Sequence, residues 1–247
     1  MGTAMMALVA CLLAGTAEAE ATSSTGEAPG TVVTKTLTVH GGKYSYAVIL
    51  PPGYRRGQAW PVILALNGMG KAVPEGAMPR APSLAEAVQL HPERYPAVLV
   101  LPQCPPEKDW SGDVADFALD ALEHTLDEYG GDRKRVYLTG QAMGAQGALK
   151  LAARAPDRFA AVVAVAGRYP DHALVSRLKG LPLWMWHGDK DTEAPVSESR
   201  ALLELLKAAG STSVRYTELP GLGHDITNTV FMDEAVSTWL FKQQRSQ

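Results

Sequence analysis

The run Val136-Tyr137-Leu138-Thr139-Gly140-Gln141-Ala142-Met143-Gly144-Ala145-Gln146-Gly147-Ala148 constrains this chain more than any other. Its first part is short, apolar and built from β-favouring residues; its second part is small, alanine- and glycine-rich, and suited to a closely packed helix. Between them the chain must turn sharply, with Gly140 and Gly144 each two positions from Ala142. Glycine at such places permits backbone approaches that a Cβ would block. A buried strand that breaks directly into a helix predicts a layered sheet with helices packed on it, and puts Ala142 at the apex of the turn.

The rest of the chain repeats this alternation. Residues 31–40 and 43–50 are two β-rich runs joined by Gly41-Gly42, a two-residue hairpin signal. Residues 60–66 form a continuous apolar run, as expected of a strand covered on both faces. Further strands are read at 97–101, 135–139, 159–166, 182–187 and 214–219, and helices at 83–90, 113–129, 144–154, 195–209 and 231–241. The helix at 113–129 is marked by Val114, Phe117, Ala118, Ala121, Leu122 and Leu126, the i, i+3, i+4 recurrence of one buried stripe, and it ends at Gly130-Gly131. The expected fold is α/β: a mostly parallel sheet with an antiparallel N-terminal hairpin, right-handed crossovers and helices on both faces. No internal repeat and no second domain is visible, so residues 31–247 read as one domain.

With 247 residues, 46% hydrophobic and 20% charged, the chain has ample material for one core. A net charge of −3 without long single-sign runs gives no basic face for nucleic acid. Residues 1–21 read as a signal peptide: 4–14 are almost continuously apolar, and the small residues at Ala17, Ala19 and Ala21 fit a cleavage site. The expected location is therefore secreted or periplasmic. The first six residues hold no Lys or Arg, which is unusual for such a signal, and Leu8-Val9-Ala10-Cys11 also resembles a lipoprotein box set very near the start. The apolar run is too short to span a bilayer. Residues 22–30 are Ser-, Thr-, Gly- and Pro-rich and read as a flexible lead-in. After removal of Cys11 with the signal, Cys104 stands alone, so no internal disulfide is expected and the thiol reads as a small buried hydrophobe.

Three glycine-bearing loops follow predicted strands: Asn67-Gly68-Met69-Gly70, His187-Gly188-Asp189-Lys190-Asp191 and Gly221-Leu222-Gly223-His224-Asp225. Loops at the carboxyl ends of strands are where open α/β sheets place their sites. Acyl transfer by a serine enzyme needs a nucleophile, an imidazole, a carboxylate to hold the imidazole, and two N–H groups for the oxyanion. Gly140-Gln141-Ala142-Met143-Gly144 has the layout of a G-x-S-x-G nucleophile elbow with alanine in the serine place. The downstream acid and histidine then come in the chain order of α/β-hydrolases. The same histidines and aspartates lack a recognisable zinc spacing, so neither a metal nor a cofactor is expected.

With these motifs, and with Leu101-Pro102-Gln103-Cys104-Pro105 and Ala155-Pro156-Asp157-Arg158-Phe159, the chain from about residue 31 to 239 resembles one group within the α/β-hydrolase superfamily. That group is the secreted, prolyl-oligopeptidase-like esterases, whose members are labelled predicted peptidases, feruloyl esterases or phospholipase/carboxylesterases. The resemblance implies an α/β-hydrolase fold and a small-molecule ester as substrate. It places the nucleophile at Ala142, the acid at Asp191 with Asp189 as rival, and the base at His224. It assigns the oxyanion N–H groups to Met143 and Met69. Gln103 and Trp110 fall on the loop resembling a substrate-side wall, with plain packing as the alternative for Trp110. The family usually has His-Gly where this chain has Asn67-Gly68. His187 reads as a satisfied structural imidazole, and His40, His91, His124 and His172 as surface residues without a role.

Alanine cannot attack a carbonyl, and neither Gln141 nor Met143 can replace a serine. The chain as written is therefore expected to be nearly inert as an ester hydrolase, either through a deliberate Ser→Ala change or as a naturally silenced relative. The alternative function is non-catalytic: a protein that uses the old pocket to hold an ester, acyl or aryl ligand.

Overall fold

The computed structural model describes residues 30–69, 82–169 and 172–246. The expected signal peptide, the lead-in up to residue 29 and the loop at 70–81 lie outside the described residues, as does the side chain of His172.

Eight strands form a single sheet: β1 (Val32–Val39), β2 (Gly42–Ile49), β3 (Trp60–Leu66), β4 (Val98–Pro102), β5 (Gly131–Gln141), β6 (Ala161–Val165), β7 (Leu183–Gly188) and β8 (Val214–Leu219), in the spatial order β1-β2-β4-β3-β5-β6-β7-β8. The hairpin β1–β2 is antiparallel, β2 runs antiparallel to β4, and every pairing from β4 to β8 is parallel. The fold is the expected α/β class. Strands β3, β4, β6 and β7 are buried along their whole length, which explains why their sequences are continuous apolar runs rather than alternating ones.

Helices cover both faces: α1 (Pro82–Leu90), α2 (Gly112–Tyr129), α3 (Met143–Arg154), α4 (Val175–Leu178), α5 (Val196–Ala208), α6 (Thr227–Met232) and α7 (Glu234–Phe241). The sheet residues Leu64, Leu138 and Val162 meet α2, α3 and α5 on one side. Ile63, Tyr137 and Val163 meet α1, α6 and α7 on the other.

Three details differ from the sequence expectation. The closing helix is split, because Asp233 takes an extended conformation and its carboxylate accepts the N–H of Ala235, capping a new helix. β5 begins at Gly131 rather than 135, because Gly131 pairs with Trp60 across a register shift. A short 3-10 turn (His172–Leu174) leads into α4, which carries too few apolar positions to show a period.

The topology gathers the three glycine-bearing loops. β3 and β5 are neighbours, with Leu66 opposite Gly140, so the Asn67-Gly68-Met69 segment runs beside the turn around Ala142. β7 and β8 are neighbours, with Gly188 opposite Leu219, so the Asp191 and His224 loops leave the sheet side by side.

Candidate active site

Ala142 sits at φ 51° and ψ −116°, a region that residues with a Cβ rarely adopt. Its N–H donates to the carbonyl of Val165 (2.9 Å), and its own carbonyl accepts the N–H groups of Ala145 (3.0 Å) and Gln146 (3.2 Å) to start α3. The turn is possible because Gly144 lies against the carbonyls of Leu66 and Asn67 and Gly140 against that of Gly144; a Cβ at either place would collide with backbone. Ala142 thus stands at the N-terminus of α3, where the first N–H groups have no intrahelical partner and carry partial positive charge.

The Asn67-Gly68-Met69 loop lies across this apex, and a Cβ on Gly68 would stand 3.4 Å from the Ala142 Cβ. Asn67 fixes the loop: its side-chain oxygen accepts the N–H of Cys104 (3.2 Å) and its amide donates to the carbonyl of Gly68 (2.6 Å). Among the described residues no backbone carbonyl accepts the N–H of Met69 or of Met143. Both residues border the cleft, and Met69 is 85% exposed.

Across the cleft, His224 Nδ1 lies 2.7 Å from Asp191 Oδ2, and the Asp191 side chain is fully buried. Oδ1 of Asp191 accepts the N–H groups of Glu193 and Ala194, both at 2.8 Å. Burial works against the Asp191 charge, but the Ala194 N–H, the His224 ring and the Glu193 N–H outweigh it and hold the carboxyl below its usual range. Asp189, the rival acid, instead accepts the N–H of Gly221 at 2.6 Å and ties the two loops together. Arg168 donates to the carbonyl of Glu193 (2.7 and 3.2 Å), bracing the acid loop from the β6 side.

Asn67, Gly68, Ala142, Met143 and His224 border one cleft of about 1280 Å³, with Asp191 buried behind His224. Gln103 lines the cleft, with its amide donating to the carbonyl of Cys104 (3.0 Å). The expected wall position of Trp110 is corrected: it is 1% exposed and does not border the cleft. Its ring packs on Gly147 of α3 and its N–H donates to the carbonyl of Asn67 (2.9 Å), so it supports the loop beneath the apex. Cys104 is buried, and burial, with Asp109 nearby, pushes its thiol up to about 11, so it is no substitute nucleophile.

Residues 38–218, well over half of the chain, match the model of the Esterase family, whose description reads "Putative esterase". The chain belongs to this family. Among curated proteins it is 41% identical over 64 residues to "Esterase LipQ" of Mycobacterium tuberculosis, a match covering 24% of this chain and 15% of that esterase. Among solved structures, a thermostable esterase superposes with a TM-score of 0.77 at 25% identity, covering 87% of this chain and 63% of that one, less than two thirds of its length. An S-formylglutathione hydrolase from Agrobacterium tumefaciens (TM-score 0.64, 16% identity, 87% and 95% covered) shares the fold. So does a serine-to-alanine mutant of the feruloyl esterase module from Clostridium thermocellum complexed with sinapinate (0.70, 15%, 89% and 91%).

In this family member, one group of potential metal ligands is found among the described residues: His40, Asp113 and Asp116, near the surface. Asp116 there is already paired with the Arg154 guanidinium, which competes with a cation for its carboxylate. No helix among the described residues is long and apolar enough to cross a membrane.

The sequence did not foresee the full surroundings of His187. It is fully buried, as expected of a structural imidazole, and both ring nitrogens are engaged: Nδ1 with Ser199 Oγ (2.7 Å), Nε2 with the carbonyl of Ala194 (3.0 Å). The unforeseen fact is that Nε2 also lies 3.1 Å from Asp191 Oδ2. The only sequence signal for this is the four-residue spacing from His187 to Asp191, which is not specific.

Proposed function

We propose that the cleft is a carboxylic-ester hydrolase site of the acyl-enzyme type from which only the attacking hydroxyl is missing. The observation that carries this reading is the 2.7 Å pairing of His224 Nδ1 with the buried Asp191 carboxylate, in the same cleft as the strained turn at Ala142.

With serine at position 142, His224 Nε2 takes the hydroxyl proton as Oγ attacks the ester carbonyl. The N–H groups of Met143 and Met69 hold the oxyanion, and His224 then returns the proton to the leaving alcohol. Water repeats the cycle on the acyl-enzyme. Asp191 keeps the imidazole in the tautomer whose free nitrogen faces the serine. Gln103 contacts the substrate from the wall. In serine proteases, removal of the nucleophile lowers turnover by about a millionfold, so the protein as written is nearly inert. What it retains is binding: an ester, acyl or aryl ligand is held without turnover in an intact cleft, and the feruloyl esterase neighbours make hydroxycinnamate esters the first panel to try.

The test is covalent capture. An activated alkyl phosphonate should add one phosphonyl mass to the Ala142→Ser protein, located on residue 142, and none to the parent. A restored serine that stays unlabelled, in a protein that remains folded, contradicts the assignment.

A further inference from the structure

The Asp191 carboxylate has more neighbours than the pairing with His224 requires. Oδ1 takes two backbone N–H groups, while Oδ2 faces two imidazoles: His224 Nδ1 at 2.7 Å and His187 Nε2 at 3.1 Å. His187 belongs to the end of β7 and its side chain has no solvent exposure. Nε2 meets only acceptors, the Ala194 carbonyl and the carboxylate. It must therefore carry the proton, because the other tautomer would set a ring lone pair against two oxygens in a buried site. Nδ1 is then the acceptor, and the hydroxyl of Ser199, buried in the first turn of α5, supplies the proton it accepts.

The backbone of Ala194 closes the arrangement. Its N–H holds Asp191 Oδ1, and its carbonyl holds the His187 N–H. The carboxylate cannot rotate without breaking two backbone bonds, and His187 cannot turn without losing both Ser199 and Ala194.

We propose that His187, kept in its Nε2–H tautomer by Ser199, is a positioning residue: it sets the orientation of Asp191 and, through it, of His224. Ser199 and His187 do not border the cleft and touch no substrate. Their influence runs from α5 through the carboxylate to the imidazole. The kinetic consequence rests on the ester-hydrolase reading above; the structural one does not.

Two measurements separate these. In the protein as it stands, the His224 Nδ1 proton should give a downfield resonance in the proton NMR spectrum, as expected of an N–H held on a buried carboxylate. His187→Leu should broaden or move that signal upfield, and His187→Gln, whose amide reaches the Nε2 position, should restore it. In the Ala142→Ser background, His187→Leu should lower kcat roughly ten- to a hundredfold, the worth of a hydrogen bond to an ion, with KM within twofold. His187→Gln should recover most of that loss. If His187→Leu fails to fold, Ser199→Ala decides: a broadened resonance and a kcat at least threefold lower are expected. A folded variant with unchanged resonance and unchanged kcat overturns the proposal. If Ala142→Ser is itself inactive, the esterase reading fails while the NMR comparison still tests His187.

Discussion

Gly188 lies directly against Gly223: a Cβ built on Gly188 would overlap the carbonyl oxygens of Gly223 and Leu222. The strand end that launches the acid loop and the segment that launches His224 are in backbone-to-backbone contact, with no side chain between them. This contact is what allows Asp191 and His224, 33 positions apart, to meet at 2.7 Å.

Gly188→Ala therefore has nowhere to put its methyl group except by pushing the two loops apart. The collision is with backbone, so it should cost at least about 1–3 kcal/mol, the usual range for overpacking. A urea unfolding midpoint lowered accordingly is the expected outcome. A midpoint equal to the parent's would mean that the loops part freely.

Ala142 bears strain with no hydroxyl to present. A non-glycine residue in such a backbone region costs on the order of 1–3 kcal/mol, whereas glycine loses roughly 0.4–1 kcal/mol through greater freedom in the unfolded chain. Ala142→Gly should therefore be neutral to stabilising, raising the melting temperature by up to a few degrees. A lower melting temperature would show that the apex is not strained.

How legible this was in the sequence depends on the range of the forces involved. Burial on both faces gives a strand a continuous apolar run, so β3, β4, β6 and β7 were visible, to within two residues at each end, from the runs at 60–66, 97–101, 159–166 and 182–187 alone. The start of β5 was not, since Gly131-Asp132-Arg133-Lys134 is polar and is strand only because Trp60 pairs with it. The break at Asp233 was hidden because Phe231, Val236, Trp239 and Leu240 sustain an apolar stripe across it. At the site, the glycine-bearing loops marked where an acid and a base would sit, and the family resemblance put them at Asp191 and His224. Trp110 could not be placed, because its burial follows from contacts with Asn67 and Gly147, distant in sequence. The approach of His187 to Asp191 likewise depends on where α5 puts Ser199 and how the loop folds back at Ala194.

The lowered Asp191 carboxyl has a consequence for acid stability. A group depressed in the fold stabilises it fully above its unfolded value, near 3.8, and that contribution is lost as pH falls through the lower folded value. Below about pH 5 the parent should lose stability more steeply than Asp191→Asn, which has no charge there to neutralise. Urea midpoints at pH 6, 4 and 3 check this; parallel curves would mean that Asp191 gains nothing from its partners.

The most direct test of the whole account is turnover of a short-chain nitrophenyl ester by Ala142→Ser against the parent. If only the hydroxyl is missing, the restored protein should exceed the parent by at least about a thousandfold, and a further His224→Ala change should abolish the gain. A restored serine no more active than alanine, in a protein with the same melting temperature, would contradict the claim that Asp191, His224 and the turn at Ala142 form an ester-hydrolase site.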